Sequence, residues 1–248
     1  MVDSLGFRKK FGVLAPSTNT AVQPEYDAMA PHGVTNHFSR IIIPDTKVTD
    51  NDSFMLMLNN IRHATGDALD AIMSCSPDHV ILGMSAEAFW DGKKGAAALK
   101  QGLEKRAGVG MTTGSESCLA ALEAYGNIKR IGIVTPYMPV GDENVVKYFE
   151  DCGFEVVNIK GLKCASPMLI SHVTKQALRD AIIEVNDDGV DAIIQAGTNL
   201  IMAEVAAMAE FWLDKPVIAI NTATYWHALR QNGVEDKVYG FGKLLSEH

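Results

Sequence analysis

The sequence predicts an α/β fold made of two pseudo-symmetric, doubly wound (flavodoxin-like) halves, each built on a parallel sheet, with a ligand site between them. Three observations carry that prediction. Short apolar runs alternate with longer stretches of helical period, which is how strands joined by crossover helices read. Gly12-Val13-Leu14-Ala15-Pro16 recurs as Gly132-Ile133-Val134-Thr135-Pro136, and residues 78–85 recur as 191–198, so the chain repeats its own strand ends. Finally, 248 residues with 47% hydrophobic and 21% charged side chains can bury one large core or two small ones.

Taken in order, strands are predicted over residues 11–15, 37–43, 79–84, 130–135, 155–159, 191–196 and 216–220. Each is a short apolar run bounded by turn residues. Residues 52–73, 141–151, 168–185 and 201–212 place apolar side chains three and four apart and read as helices. The first half is expected to span residues 1–112, joined by the returning tail 222–248, and the second half residues 113–221.

Charge and composition exclude several classes of function. Thirty acidic against twenty-two basic residues leave a net charge of −8, and the longest basic run is Arg8-Lys9-Lys10, so a nucleic acid would meet net repulsion. No stretch approaches the roughly 18 apolar residues of a membrane span, and Met1-Val2-Asp3-Ser4 opens into a polar segment unlike a signal peptide; a cytoplasmic protein is expected. Cys75, Cys118, Cys152 and Cys164 form neither a CxxC pair nor a zinc spacing, and the seven histidines are scattered, so no metal site is expected. There is no Walker loop, and Gly108-Val109-Gly110 is followed by Thr113 where a dinucleotide fingerprint needs its third glycine, so no cofactor is expected either.

In open α/β sheets, ligands sit beyond the carboxyl ends of the strands, and two facing halves can enclose one pocket there. Four loops stand at such ends: Pro16-Ser17-Thr18-Asn19, Met84-Ser85-Ala86-Glu87, Thr135-Pro136-Tyr137 and Gly197-Thr198-Asn199. Ser, Thr and Asn are also preferred helix N-caps, and each of these residues taken singly reads as one. Four such loops at repeat-related positions point beyond capping, to helix starts whose N–H groups attract an anion.

With these loops in view, the chain resembles the aspartate/glutamate racemase superfamily, in its maleate cis-trans isomerase and arylmalonate decarboxylase branch. Gly12 to Asn19 resembles the isomerases' opening strand and loop, whose Asn binds a substrate carboxylate. Val134-Thr135-Pro136-Tyr137-Met138 resembles the middle motif, whose Tyr contacts substrate. Phe89-Trp90-Asp91-Gly92, Thr224-Tyr225-Trp226-His227-Ala228 and the tail from Tyr239 to Leu245 resemble later segments of the family. The resemblance implies a small carboxylic acid as substrate, no cofactor, and a homo-oligomer, either dimer or tetramer. It also implies a cysteine at one or both of two pseudo-symmetric strand ends. Here those positions read Met84 and Gly197, which cannot ionise, so two-thiol proton transfer and thiol addition by the usual nucleophile are excluded.

The predicted substrate-binding set is therefore Pro16, Ser17, Asn19, Met84, Ser85, Ala86, Tyr137, Gly197, Thr198 and Asn199. The candidate catalytic residues are Ser85, Glu87, Tyr137 and Thr198, with His227, Asp45 and Lys163 as further proton-transfer candidates. Neutral Ser, Thr, Asn and Tyr donors suit a carboxylate whose charge spreads in an enolate-like or oxyanion transition state. Three readings follow. The first is a cysteine-independent lyase (decarboxylase) or isomerase. The second is a hydrolase of a small amide, ester or lactone using Ser85 or an activated water, although no G-x-S-x-G elbow is present. The third is a non-catalytic carboxylate-binding protein.

Overall fold

A computed structural model describes residues 3–248; Met1 and Val2, the first residues of the polar opening, lie outside it. Its strands are β1 (Lys9–Pro16), β2 (Val34–Ile41), β3 (His79–Leu82), β4 (Met111–Thr113), β5 (Arg130–Thr135), β6 (Glu155–Gly161), β7 (Ala192–Gln195) and β8 (Val217–Ala219). The helices are α1 (Val22–Met29), α2 (Asn51–Met73), α3 (Gly92–Ala107), α4 (Gly114–Tyr125), α5 (Pro139–Asp151), α6 (Lys175–Val185), α7 (Ala203–Leu213), α8 (Ile220–Gln231) and α9 (Lys243–Glu247), with short 3₁₀ turns at Glu87–Phe89 and Met168–His172.

Two parallel four-stranded sheets form, in the orders β2-β1-β3-β4 and β6-β5-β7-β8, so the second half repeats the topology of the first strand for strand. The central strands β3 and β7 are buried at every residue, which is why each reads as an apolar run, over residues 80–82 and 192–194, with His79 and Gln195 as its buried polar ends. The second strand begins and ends earlier than expected, at Val34–Ile41, because its register is set by pairing along β1 from Lys9↔Val34 to Pro16↔Ile41. The helix expected over residues 168–185 divides into the Met168–His172 turn and α6, which restarts where Thr174 accepts the Ala177 N–H at 3.1 Å.

Each crossover helix follows from its sequence. In α2, Phe54, Leu58, Ile61, Thr65, Leu69 and Ile72 recur at spacings of three and four and form the buried stripe. Its start is fixed by a capping box: Asp50 accepts the Ser53 N–H at 2.9 Å, and Ser53 Oγ accepts the Asp50 N–H at 3.1 Å. The last long helix, α8, buries nine of its residues and packs on α1, α4, β3 and β4. The main apolar core is continuous from Phe11 and Ile81 in the first sheet to Ile133 and Ile194 in the second. Among the described residues no helix is long and apolar enough to cross a membrane.

Candidate active site

Strands β1, β3, β5 and β7 are the inner strands of their sheets, and the loops after them meet over one cleft. The cleft holds about 420 Å³ of empty space, counting its mouth. Its polar side is built from Thr18, Asn19, Ser85, Tyr137, Thr198 and Asn199. Its apolar lining comes from Ile43, Met57, Ile61, Met84 and Ile170, with Pro16, Ala86, Pro136, Pro167 and Gly197 completing the wall. Among the described residues Tyr137 is the one titratable side chain on that surface.

The polar groups form a connected set across the two halves. Ser85 Oγ accepts the Thr198 N–H at 3.1 Å and lies 2.6 Å from Tyr137 Oη. With the Ser85 oxygen already receiving one proton, the two hydroxyls share one hydrogen bond and keep one further O–H for a ligand. Burial raises the Tyr137 phenol well above its ordinary range, so it stays protonated at neutral pH. Thr198 donates its hydroxyl to Gly83 O at 3.3 Å and accepts from Asn19 Nδ2 at 3.3 Å.

Asn19 is both cap and site residue. Its Oδ1 accepts the N–H groups of Ala21 and Val22, each at 3.0 Å, and so fixes the start of α1. One proton of its amide reaches Thr198, and the other is available to a ligand. Asn199 lines the same cleft, but its amide is spent on neighbouring loops. Its Oδ1 accepts Thr20 N–H at 2.9 Å and its Nδ2 donates to Pro167 O at 2.8 Å. Ser17 likewise turns outward from the cleft, exchanging hydrogen bonds with Ile43 N and O, both at 3.1 Å.

The proton-transfer candidates lie elsewhere. Glu87 sits beyond Met84 in an adjoining chamber, where its carboxylate takes the Arg62 guanidinium at 2.8 Å. Burial raises its pKa and Arg62 partly offsets that. His227, on α8, faces α4, with its Nδ1 3.2 Å from Ser117 Oγ. Asp45 accepts from Ser166 Oγ at 3.1 Å and Met168 N at 2.9 Å, as a loop staple. None of the four cysteines lines the cleft; burial pushes the Cys164 thiol up to about 11 and the wholly buried Cys118 further still. Among the described residues no group of three or more His, Cys, Asp or Glu is placed to hold a metal ion.

Gly197 has a φ of +123°, and a Cβ there would stand 2.4 Å from Pro136 Cδ. The close approach of the β7 loop to the β5 loop therefore depends on glycine. Ile43, Met57, Ile61, Pro167 and Ile170 are cleft residues that sequence reasoning missed. Met57 and Ile61 carried a signal, being one turn apart on the buried stripe of α2, but nothing local distinguishes a helix face over a cleft from one over the core.

The family model described as arylmalonate decarboxylase matches residues 11–245. The chain is 23% identical over 254 residues to a maleate isomerase of Alcaligenes faecalis, covering 96% of each. In fold it is similar to the Nocardia farcinica maleate cis-trans isomerase solved with a covalently bound succinylcysteine intermediate, with a TM-score of 0.88 and 20% identity over 97% of this chain and 99% of that one. It is also similar to an arylmalonate decarboxylase structure, with a TM-score of 0.75 and 19% identity over 95% and 98% of the two chains. With a match that spans both sheets and all four loops of the cleft, the chain belongs to the arylmalonate decarboxylase family.

Proposed function

We propose that the protein is a lyase that decarboxylates a small malonate-type dicarboxylate through an enediolate, without a thiol. The observation that carries this reading is the make-up of the cleft: hydroxyl and amide donors set among hydrocarbon, and, among the described residues, no lining side chain able to act as a base or thiolate at neutral pH. The maleate isomerase and arylmalonate decarboxylase relatives support a small acid as the substrate class.

Racemisation requires a base on each face of the substrate, and thiol-driven isomerisation requires a nucleophile that adds to a double bond. Decarboxylation requires neither. The C–C bond to one carboxylate breaks, CO₂ leaves, and the electron pair passes into the remaining carboxyl group as an enediolate. The α-carbon then takes a proton. The one free O–H of the Ser85–Tyr137 pair and the second Asn19 N–H suit the enediolate oxygens, as preorganised neutral donors. Met84, Ile61 and Ile170 suit the departing group, because a hydrocarbon wall favours neutral CO₂ over a carboxylate. The hydroxyl pair of Ser85 and Tyr137 faces the same space and relays the proton from water at the mouth. A serine hydrolase is disfavoured, because the Ser85 hydroxyl meets a phenol and an amide N–H where a histidine would be needed.

Proton NMR in deuterated water with aryl- and alkylmalonates, maleate, fumarate and aspartate tests the reading. The expected outcome is loss of CO₂ from a malonate with one deuteron delivered to the α-carbon, slowed about 10²–10³-fold by Tyr137→Phe. Conversion of maleate to fumarate without CO₂ would make the protein an isomerase. Silence across the panel, with a thermal shift from one of the acids, would leave a carboxylate-binding protein.

A further inference from the structure

Behind the cleft, one buried carboxylate has no part in the chemistry described above. Glu25, on α1 of the first half, is 9% exposed. One of its oxygens accepts the Ala203 N–H at 3.1 Å, at the first residue of α7 in the second half. The other accepts Asn221 Nδ2 at 2.6 Å. The same Asn221 nitrogen donates its second proton to Thr198 O at 2.9 Å. Thr198 N–H then reaches Ser85, and Ser85 reaches Tyr137. An unbroken line of hydrogen bonds thus runs from Glu25 to the hydroxyl pair of the cleft.

We propose that Glu25 is a positioning residue that sets the Gly197-Thr198-Asn199 loop, through Asn221 and the start of α7, for the carboxylate site argued above. The chemistry of its surroundings supports a role other than stability. The charged group that bears on it is Glu204 on α7, which is itself paired with Lys175, and the Tyr26 phenol beside it on α1 is kept neutral by burial. Among the described residues no cation compensates its burial, and its pKa is pushed up to about 7, mainly by desolvation and against the hydrogen bonds from Asn221 and Ala203. Both oxygens face donors, so protonating either sets a donor against a donor and breaks one end of the line. The sign follows: a carboxyl whose folded pKa is raised contributes stability below its ordinary pKa and loses it as pH rises through about 7. The ionised form therefore orders the loop while costing stability.

The test is Glu25→Gln, read in two ways. In ¹⁵N-labelled protein at pH 8, the Thr198 and Ser85 amide signals are expected to move, while the thermal midpoint stays the same or rises. Binding of phenylacetate and propionate, followed by calorimetry from pH 6 to 8.5, is expected to weaken tenfold or more at pH 8 and to lose the pH dependence that the wild type shows near 7. Unmoved Thr198 and Ser85 amides, or affinity within twofold at every pH, would overturn the proposal. If the wild type binds neither acid but its Thr198 amide still moves with the variant, the positioning role stands and the carboxylate reading fails. Should Glu25→Gln not fold, ¹³C-carboxyl titration of the wild type decides. The Thr198 amide is expected to follow Glu25 and not Asp142, whose carboxyl, pushed up to about 6 by burial, lies behind Thr135 on the Tyr137 side; an amide that follows Asp142, or neither, would overturn it.

Discussion

At the scale of the residue, the cleft is decided by what its donors have left over. Asn19 and Asn199 read alike in the sequence, each following a strand end by a few residues. Asn19 keeps one amide proton free, and Asn199 keeps none, its two going to Pro167 O and, at 3.4 Å, Thr18 O. Gly197 is decided by backbone. At φ +123°, with a Cβ only 2.4 Å from Pro136 Cδ, any side chain strains both the loop and its neighbour. We expect Gly197→Cys to lower the unfolding free energy by about 1–3 kcal/mol, measured by urea denaturation, and to confer no thiol chemistry unless the β5 loop moves. A stable Gly197→Cys protein with maleate isomerase activity would show that the loop gives way more easily than its packing implies. The four strand-end loops were legible because small polar residues after an apolar run mark a strand handing over to a helix. Glu25 was not legible, because its meaning depends on Ala203 and Asn221, nearly two hundred residues away.

At the scale of the element, a second polar line ties β3, β4, α4 and α8 together. Thr112 donates to Gln231 Oε1 at 2.7 Å, so its hydroxyl oxygen must accept from His79 Nε2, also at 2.7 Å. Ser117 donates to Thr113 O at 2.7 Å, so it accepts from His227 Nδ1 at 3.2 Å, which leaves His227 Nε2 to accept from Gln231 at 3.1 Å. Each ring is neutral in this arrangement, with one tautomer fixed. Burial, aided by the Lys100 charge, lowers both imidazoles to about 4. A histidine whose folded pKa is depressed takes up its proton more readily when unfolded. The histidines' contribution to stability should therefore be complete above pH 6.5 and fall as pH drops from about 6.5 to about 4, opposite in slope to that of Glu25. Urea midpoints measured across that window should fall less steeply in His79→Gln and His227→Gln; equal slopes would remove these residues from the acid response. The same region shows where sequence reading stops at the level of elements. The β4 strand is three residues long and two of them are threonine, too little for an apolar run to register. The α3 helix buries only Gly92 and Ala96 of its side faces, so no stripe announces it. The α8 helix is buried on all sides, and periodicity has nothing to contrast. By contrast, α2 and the central strands were legible, because their burial is one-sided in the first case and complete over four residues in the second.

At the scale of the whole molecule, the internal repeat would allow two halves that fold separately, and the packing argues against it. The main core runs through both sheets, from Val13 and Leu82 to Ile131 and Ile218. Polar ties cross as well. Val48 N–H donates to Ala165 O at 2.6 Å, Asn144 Oδ1 accepts the Asp91 N–H at 3.1 Å, and the cleft itself is closed by Asn19, Ser85, Tyr137 and Thr198 reaching across. Cutting the chain after residue 112 would split β4 before Thr113 and leave what remains of it without α8, which packs against it from the far end of the sequence. It would also expose the apolar faces that meet at the centre. An isolated half of that size has a smaller buried fraction and a thinner margin of stability. Equilibrium unfolding should therefore be a single cooperative transition, in which far-UV circular dichroism and the fluorescence of Trp90, on the first-half side, and Trp212, on the second, share one midpoint. A protein expressed as residues 1–112 should be unfolded by the same measures. Two separated midpoints, or a folded first half, would mean that the repeat still encodes two independent domains. The cleft would then be an interface between modules, and not the seam of one core.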